Sequence, residues 1–341
     1  MMKTILVTGA AGYIGCRLIP FLLKKKYRVK AFDRFFFGSN NIKTHKNLKL
    51  IRGDVRNIDP KIFRGVYGVI DLAALSNDVT GEKFIKETYD INFKSRLNIA
   101  KISSKNGVKK YILPSSASNY GKINKNSIAS EDFPLNPLTN YSKANALAEE
   151  NILLLKSKNF CVTVLRQGTV YGYSPKMRFD LVINRMTYEA WKNNRILLLK
   201  DGTQRRPVLH IEDAINAMNF ILKQDDNSVN GEIFNVGTSG NNVSVLELSE
   251  ILKKIFRKKL KIEWYGSKDK RSYFMSFEKI KKLGFEGKFR PEDGVKEILY
   301  YLNKKIISLD EKTITLEWYE KLEKWNEIIN KMSINKKMIS L

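Results

Sequence analysis

The most constraining feature of this chain is a glycine-rich turn close to its start. An apolar run, Thr4 to Val7, leads into Thr8-Gly9-Ala10-Ala11-Gly12-Tyr13-Ile14-Gly15, and the next apolar run ends at Asp33. A strand that turns into a helix through three glycines leaves the first helical N–H groups unpaired and lets a diphosphate approach the backbone. A carboxylate about 20 residues further on can accept hydrogen bonds from an adenosine ribose. This order predicts a dinucleotide site, and Asp33 favours NAD over NADP, whose 2′-phosphate it would repel.

Size and composition limit the class of protein. A chain of 341 residues suffices for one large domain or two moderate ones. No apolar run approaches the roughly 18 residues needed to cross a bilayer, and a strand begins where a signal peptide would lie. We therefore expect a cytoplasmic protein with no membrane insertion. Cys16 and Cys161 suit buried reduced thiols, and two histidines, His45 and His210, argue against a metal site.

The charge of the chain is unusual. Its 61 basic and 35 acidic residues give a formal net charge of +26. Such an excess favours an anionic partner, either nucleic acid or a phosphate-bearing substrate. The lysines are nevertheless spread along the chain and do not form one stripe interleaved with aromatic residues. We expect most of them to lie on solvated helix faces, and we expect no nucleic-acid partner.

Short β-rich runs alternate with helical patterns over the first 170 residues, which predicts a doubly wound parallel sheet of the Rossmann α/β class. Strands are predicted near 3–8, 28–33, 48–52, 67–72, 109–115 and 160–166, with the longest helices near 82–105 and 140–157. Later elements are helices near 180–193, 244–257 and 291–303, strands near 196–199, 233–236 and 260–264, and a helix after 309 that runs into a Lys/Asn/Ile tail. We predict an NAD-binding domain of residues 1–172 plus about 207–238. A smaller, discontinuous α/β substrate domain would comprise about 173–206 plus 239–341.

Further motifs follow the predicted strands in order. They are Gly53-Asp54-Val55, Leu72-Ala73-Ala74, Ser115-Ser116-Ala117-Ser118-Asn119-Tyr120-Gly121, Asn136-Pro137-Leu138-Thr139-Asn140-Tyr141, residues 165–172, residues 204–210 and Asn235-Val236-Gly237. With the glycine turn, they make nearly the whole chain resemble the extended short-chain dehydrogenase/reductase family. The members it resembles are the NAD-dependent epimerases and dehydratases of nucleotide sugars.

The resemblance implies NAD as cofactor and a nucleoside-diphosphate sugar as substrate. It implies that Asp54 accepts a hydrogen bond from the adenine amino group, that small Ala73 and Ala74 let the backbone run beside the cofactor, and that Asn92 braces the active-site helix. The full set of implied cofactor residues is Gly9, Gly12, Tyr13, Ile14, Gly15, Asp33, Asp54, Val55, Leu72, Ala73, Ala74 and Asn92.

Tyr141 is the implied acid/base, which removes a proton from a sugar hydroxyl while hydride leaves the same carbon. A phenol with a pKa near 10 is ionised in only about one part per thousand at pH 7, so it needs help worth up to roughly 4 kcal/mol. Family members obtain that help from a lysine four residues later and from the cofactor's positive ring. This chain has Asn145 there, and Lys143 points some 200° around the helix. Asn145 would still reach the nicotinamide ribose. Three explanations of Asn145 remain open. The protein is a slow enzyme, its cation lies at another position, or this chain is a variant altered at this codon.

Ser116 falls where the family places a hydroxyl that hydrogen-bonds the reacting sugar hydroxyl. The 4,6-dehydratase branch needs an Asp-Glu pair at the next two positions, where this chain has Ala117 and Ser118, so 4,6-dehydration is disfavoured. The resemblance then implies an epimerase that oxidises and re-reduces C4 of an NDP-hexose or NDP-heptose. A 4-dehydrogenase or 4-ketoreductase remains an alternative, as does a non-catalytic NAD-binding homologue.

Five residues are predicted to contact the substrate. The planar forks of Arg206 and Arg271 suit a nucleotide diphosphate, and Arg178 and Asn184 lie in a stretch that resembles a subgroup acting at C4. Asp78 either lies near the sugar or serves turn chemistry. The resemblance also implies a homodimer built from the helices near 82–105 and 140–157.

Overall fold

The computed structural model describes residues 2–124, 127–267 and 271–332, and the predicted tail from 333 onward lies outside them. Within these ranges the strands are β1 (Thr4–Thr8), β2 (Arg28–Asp33), β3 (Leu48–Arg52), β4 (Gly68–Asp71), β5 (Lys110–Ser116), β6 (Cys161–Gln167), β7 (Thr169–Tyr171), β8 (Arg195–Leu199), β9 (Arg205–His210), β10 (Glu232–Val236), β11 (Asn242–Ser244) and β12 (Lys261–Tyr265).

The helices of the same ranges are α1 (Gly15–Lys24), α2 (Asp78–Lys83), α3 (Ile85–Tyr89), α4 (Arg96–Lys105), α5 (Asn140–Leu153), α6 (Val182–Asn193), α7 (Ile211–Lys223), α8 (Asp226–Val229), α9 (Val245–Phe256), α10 (Glu278–Lys282), α11 (Pro291–Asn303) and α12 (Thr315–Met332). Among these described helices, none combines the length and the apolarity required to span a membrane.

Seven parallel strands form the main sheet, in the order β10-β6-β5-β4-β1-β2-β3. The strand order reverses beside β1, which lies between β4 and β2. In sheets of this kind ligands bind outside the carboxyl ends of the strands at such a switch point. The doubly wound sheet expected from the sequence is confirmed, and β10 returns to it beside β6, with Glu232 opposite Thr163.

Apolar layers cover both faces of the main sheet. On one face, Leu18 and Leu22 of α1 pack in one cluster with Met218 of α7. On the other face, Ile99 of α4 and Ile152 of α5 pack in a second cluster. Full burial of each such side chain contributes about 1.5–3 kcal/mol relative to exposure. The central strands are therefore buried on both sides, which is why they stand out in the sequence as continuous apolar runs.

The later part of the chain builds two smaller sheets. β9 pairs with β7 in parallel and with β11 in antiparallel orientation, and β12 pairs with β8. Helices α6, α9 and α11 cover these strands through a separate apolar cluster that contains Ile183, Leu248 and Val295. This unit faces the carboxyl edge of the main sheet.

The prediction of one continuous helix near 82–105 is wrong, because the structure divides this range into α2, α3, a π turn and α4. The structure breaks it at Phe84, whose φ of −115° and ψ of 63° are not helical, and again at a π turn, Asp90–Ser95, before α4 begins. The Ser95 hydroxyl donates to the Asp90 carbonyl at 2.7 Å. Apolar spacing does not reveal an inserted residue of this kind, and π turns are frequent at functional sites.

Candidate active site

A cleft of about 660 Å³ opens at the carboxyl edge of the main sheet. The glycine turn between β1 and α1 forms part of its wall, and the loops after β2 and β4, the end of β5 and the start of α5 form more of it. Side chains from β9, from the loop before α6 and from α12 complete the wall. The cleft therefore lies where a doubly wound sheet binds its ligands.

The glycine turn is tight, and part of its backbone already bonds within the protein, since the N–H groups of Ala10 and Gly12 donate to the Phe32 and Gly9 carbonyls at 3.3 and 3.1 Å. A Cβ on Gly9, whose φ is +61°, would lie 2.7 Å from the Ala73 nitrogen, and one on Gly15 would lie 2.3 Å from the Ala10 oxygen. Helix α1 begins with no side-chain cap and no acidic residue in its first turn. Uncapped N–H groups at a helix start suit a negatively charged diphosphate.

Asp33, at the end of β2, lies beside this turn. Its carboxylate accepts hydrogen bonds from the backbone N–H groups of Ala11 at 3.0 Å and Phe35 at 2.5 Å. Burial raises the pKa of Asp33, and these two N–H groups oppose the rise. The arrangement fixes the carboxylate at the cleft wall, where the sequence predicts contact with an adenosine ribose.

Asp54 lines the same end of the cleft but already has partners. It forms ion pairs with Arg34 at 2.9 Å and Arg56 at 2.7 Å, and it caps the turn that begins at Val55. Ala73 and Ala74 line the cleft after β4, as do the other predicted cofactor residues apart from Asn92.

The structure places Asn92 behind the cleft. Its side chain is completely buried in the π turn, accepts from the Leu75 nitrogen at 2.9 Å and donates to the Leu75 oxygen at 3.0 Å. The amide therefore braces the loop after β4, not the active-site helix. The π turn aims it at that loop, which the sequence pattern could not show.

Tyr141 and Ser116 both line the cleft and lie next to each other. Thr139 caps α5 with a reciprocal bond to Ser142, which places Tyr141 in the first turn of the helix. Ser116 ends β5, and its hydroxyl lies 2.8 Å from the hydroxyl of Ser118. Removal from water raises the pKa of Tyr141, whereas a hydrogen bond with the Ser116 side chain lowers it. The two predicted groups are therefore close enough to act on one hydroxyl.

Asn145 does not line the cleft. It is 1% exposed, its Oδ1 accepts from Nη1 of Arg96 at 2.8 Å, and its Nδ2 donates to the Tyr141 carbonyl at 3.0 Å. The expected contact with a nicotinamide ribose is therefore not available, because one turn of α5 carries Asn145 toward α4. Lys143 lies exposed on another side of α5, as its position in the helix predicts.

Arg178 lies at the cleft, and Asn184 does not. The Arg178 guanidinium donates to both carboxylate oxygens of Asp180, at 3.0 and 2.8 Å, and to the Ser76 hydroxyl at 2.9 Å. Asn184 is completely buried, and its amide bonds to the Gly172 nitrogen, the Tyr13 hydroxyl and the Arg178 carbonyl. A direct substrate contact by Asn184 is thus not supported, because α6 turns its side chain into the protein.

Asp78, Arg206 and Arg271 form a cluster at the cleft close to Tyr141. Asp78 pairs with Arg271 and accepts from the Thr139 hydroxyl at 2.5 Å. The Arg206 guanidinium donates to the Arg271 carbonyl and lies 5.4 Å from the centre of the Tyr273 ring. Two guanidinium groups therefore share this end of the cleft.

Sequence reasoning missed several residues that line the cleft. Arg96, at the start of α4, is 3% exposed and lies beside Tyr141. Lys176 is 5% exposed, its Nζ lies 3.8 Å from the Phe37 ring centre, and burial, with a contribution from Arg178, lowers its pKa to about 7. Both positions are basic in the sequence, but only the fold shows that they are buried.

The start of α12 also covers the cleft. Tyr319 packs its ring against Phe36 and Phe37 in the loop after β2, at centroid distances of 6.3 and 5.8 Å. Trp318 donates to the Phe36 carbonyl at 2.9 Å. The sequence predicts the helix, but its periodicity does not predict that α12 packs against Phe36 and Phe37.

Comparisons with known proteins agree with this geometry. A family model described as the NAD dependent epimerase/dehydratase family matches residues 5–237. The chain is 28% identical over 319 residues to a UDP-glucuronate 4-epimerase of Thermodesulfobacterium geofontis, a match that covers 88% of this chain and 96% of the relative. It is 27% identical over 306 residues to a putative UDP-glucose 4-epimerase of Methanocaldococcus jannaschii. This match covers 87% of this chain and 98% of the relative.

The fold also resembles a solved structure. UDP-glucuronic acid 4-epimerase from Bacillus cereus, in complex with UDP-glucuronic acid and NAD, superposes with a TM-score of 0.80 at 26% identity, covering 89% of this chain and all of that one. The uncapped α1, the three glycines and fixed Asp33 fit a dinucleotide, and the resemblance inferred from the motifs is confirmed. The cofactor is NAD, and the chain belongs to the NAD dependent epimerase/dehydratase family.

Proposed function

We propose that this protein is a 4-epimerase of a UDP-linked hexose or hexuronate. The observation that carries the proposal is the pairing of Tyr141 with Ser116 in a cleft that also contains the glycine turn and the guanidinium groups of Arg206 and Arg271. The similarity to UDP-glucuronate 4-epimerases of Thermodesulfobacterium geofontis and Bacillus cereus supports the same substrate class.

The residues have separate tasks in this reaction. NAD, when bound, accepts a hydride and gives it back. Tyr141 takes the proton of the C4 hydroxyl as the C4 hydrogen leaves with its electron pair, which converts the carbinol to a ketone. Ser116 holds the reacting oxygen by a hydrogen bond. Once the sugar has rotated to present its opposite face, the bound cofactor would supply hydride to C4, and Tyr141 would return its proton to the C4 oxygen.

The carboxylates near Tyr141 are engaged in ion pairs, which favours epimerisation over dehydration. Dehydration needs a further acid and base, and among the described cleft residues the carboxylates on this side are Asp78 and Asp180. Asp78 pairs with Arg271, and Asp180 pairs with Arg178. The positions after Ser116 are Ala117 and Ser118. Neither carboxylate is therefore poised to protonate a leaving hydroxyl.

Substrates deuterated at C4 test the proposal. The protein is incubated with UDP-glucose, UDP-glucuronate or UDP-N-acetylglucosamine, and products are resolved by chromatography and NMR. We expect the 4-epimer with its deuterium retained, and no activity from Tyr141→Phe. Label in released reduced nicotinamide would instead identify a 4-dehydrogenase. Bound NAD with no turnover of any sugar would favour the non-catalytic homologue.

We also propose that the protein is a homodimer that pairs through the outer face of α5. A groove of about 580 Å³ follows this face, lined by Leu147, Leu153 and Pro137 among others. Analytical ultracentrifugation should give twice the chain mass of 39.4 kDa, and Leu147→Glu should give monomers. A monomeric parent protein would contradict this assembly.

A further inference from the structure

We propose that Arg96 is a positioning residue that supplies the positive charge beside Tyr141, and that Asn145 is neutral because Arg96 occupies the site of the cation. The inference rests on the proposed function, in which Tyr141 takes a proton from the substrate near neutral pH. It assigns the role of the missing lysine to a side chain from a neighbouring helix.

Tyr141 needs a positive charge close to its phenol to take this proton near neutral pH. A phenol with its usual pKa of about 10 is ionised in only about one molecule per thousand at pH 7. In this structure, removal from water raises the pKa of Tyr141 further. A positive charge placed close to the phenol is the direct way to favour the tyrosinate.

The groups that face Tyr141 differ in how far their charges are neutralised. Arg96 lowers the pKa of Tyr141, and Arg178 lowers it less. Arg178 is held by Asp180 through two hydrogen bonds at 3.0 and 2.8 Å, so its charge is largely cancelled.

The remaining neighbours add no net positive charge. Asp78 raises the pKa of Tyr141, but it forms an ion pair with Arg271. Tyr273 is a buried phenol, and removal from water raises its pKa to about 12, so it is neutral near pH 7. Ser116 contributes only a hydrogen bond.

Arg96 is held by neutral acceptors alone. Its Nε donates to the Ala73 carbonyl at 3.2 Å and its Nη1 to Oδ1 of Asn145 at 2.8 Å. Within the part of the chain that the structure describes, no carboxylate forms a salt bridge with Arg96. These bonds fix a buried guanidinium, with no ion-pair partner among the described residues, at the wall of the cleft beside Tyr141.

The contact with Asn145 explains the identity of that residue. Its amide oxygen accepts from Arg96, and its amide nitrogen donates to the Tyr141 carbonyl, so it links the guanidinium to the helix that carries the phenol. A lysine at position 145 would bring a second positive charge within hydrogen-bond distance of the first in a buried site, which is strongly unfavourable.

A charge-swap series tests this assignment. The variants are Arg96→Met, Arg96→Lys, Asn145→Lys and the double variant Arg96→Met/Asn145→Lys, with Lys101→Met as the control that removes an exposed charge from the same helix. Rates are measured across pH with the sugar that the parent protein epimerises. Circular dichroism and NAD content confirm that each variant is folded and loaded.

We expect Arg96→Met to lower kcat at pH 7 by about tenfold to a hundredfold and to move the limb on which activity rises with pH up by about one to two units. Arg96→Lys should keep most of the activity. Asn145→Lys alone should be slower than the parent, and the double variant should be faster than either single one. A loss in Arg96→Met without a pH shift, or an Asn145→Lys protein faster than the parent, would overturn the assignment.

NMR of protein labelled at the tyrosine Cζ separates this inference from the proposed function. The Tyr141 signal, identified by its loss in Tyr141→Phe, reports ionisation of the phenol whether or not any sugar reacts. A higher pKa in Arg96→Met supports the assignment even if no substrate is epimerised. An unchanged pKa refutes the assignment even if the protein proves to be a 4-epimerase.

Discussion

The helix that carries Tyr141 is held to the main sheet by a buried ion pair whose removal should be costly. Glu149 of α5 and Arg166 of β6 have side chains only 2% and 4% exposed. Nε and Nη2 of Arg166 donate to the Glu149 carboxylate at 2.9 and 2.8 Å, and Asn119 adds a third bond at 2.7 Å. We therefore expect Glu149→Leu to leave a guanidinium buried without its carboxylate partner.

Breaking a buried pair in this way lowers the free energy of unfolding by about 3–5 kcal/mol. Removing both charges in Glu149→Leu/Arg166→Met should cost less than the single substitution, because no unpaired charge is then buried. The free energies of unfolding of the single and the double variant are measured by urea unfolding of NAD-free protein at pH 7, followed by circular dichroism.

The control is Asp90→Ala, which breaks a pair with Lys94, a side chain 69% exposed. It should cost less than about 0.5 kcal/mol. A Glu149→Leu protein within about 1 kcal/mol of the parent, or a double variant less stable than the single one, would refute the reasoning from burial.

Three further predictions follow from the cleft. Asp33→Asn should strengthen NADP binding relative to NAD in calorimetric titrations, because it removes a carboxylate that repels a 2′-phosphate; an unchanged ratio would contradict this. Burial lowers the pKa of Lys176 from 10.5 to about 7, so the unfolded chain binds a proton between these values that the native protein lacks. The stability of the native protein should therefore rise with pH between about 7 and 10.5. In Lys176→Met the urea midpoint should no longer rise with pH over this range, and an equal rise in both proteins would refute the prediction. Deletion of α12 removes Tyr319 from the cleft and should increase loss of NAD during gel filtration, whereas full retention would show that the helix does not hold the cofactor.

The sheet could be predicted from the sequence because its central strands are buried on both faces. The main-sheet strands begin and end within about a residue of their predicted bounds, since apolar runs there end at residues such as Asp33 and Asp71. The glycine turn was equally clear, because its close approach to Ala73 excludes any side chain at Gly9.

The surroundings of Tyr141 could not be predicted in the same way. The motif fixes where Tyr141 lies in its helix, but the partners of Arg96 are Ala73 and Asn145, which are distant from it in sequence. The π turn before α4 sets which way Arg96 points, and apolar spacing does not encode it. Asn184 is a predicted substrate contact for which the motif was misleading. Its side chain points into the protein and bonds to backbone atoms of Gly172 and Arg178.

The position of α12 has a consequence for how the protein acquires NAD. Ribosomes make this helix after every other element that lines the cleft, so the main sheet can form and bind the dinucleotide while the cleft is still open on that side. The packing of Tyr319 against Phe36 and Phe37 closes this side of the cleft only once α12 has docked. The proposed 4-epimerase reaction would leave the oxidation state of the dinucleotide unchanged, so a dinucleotide bound before α12 docks would not have to be exchanged between turnovers.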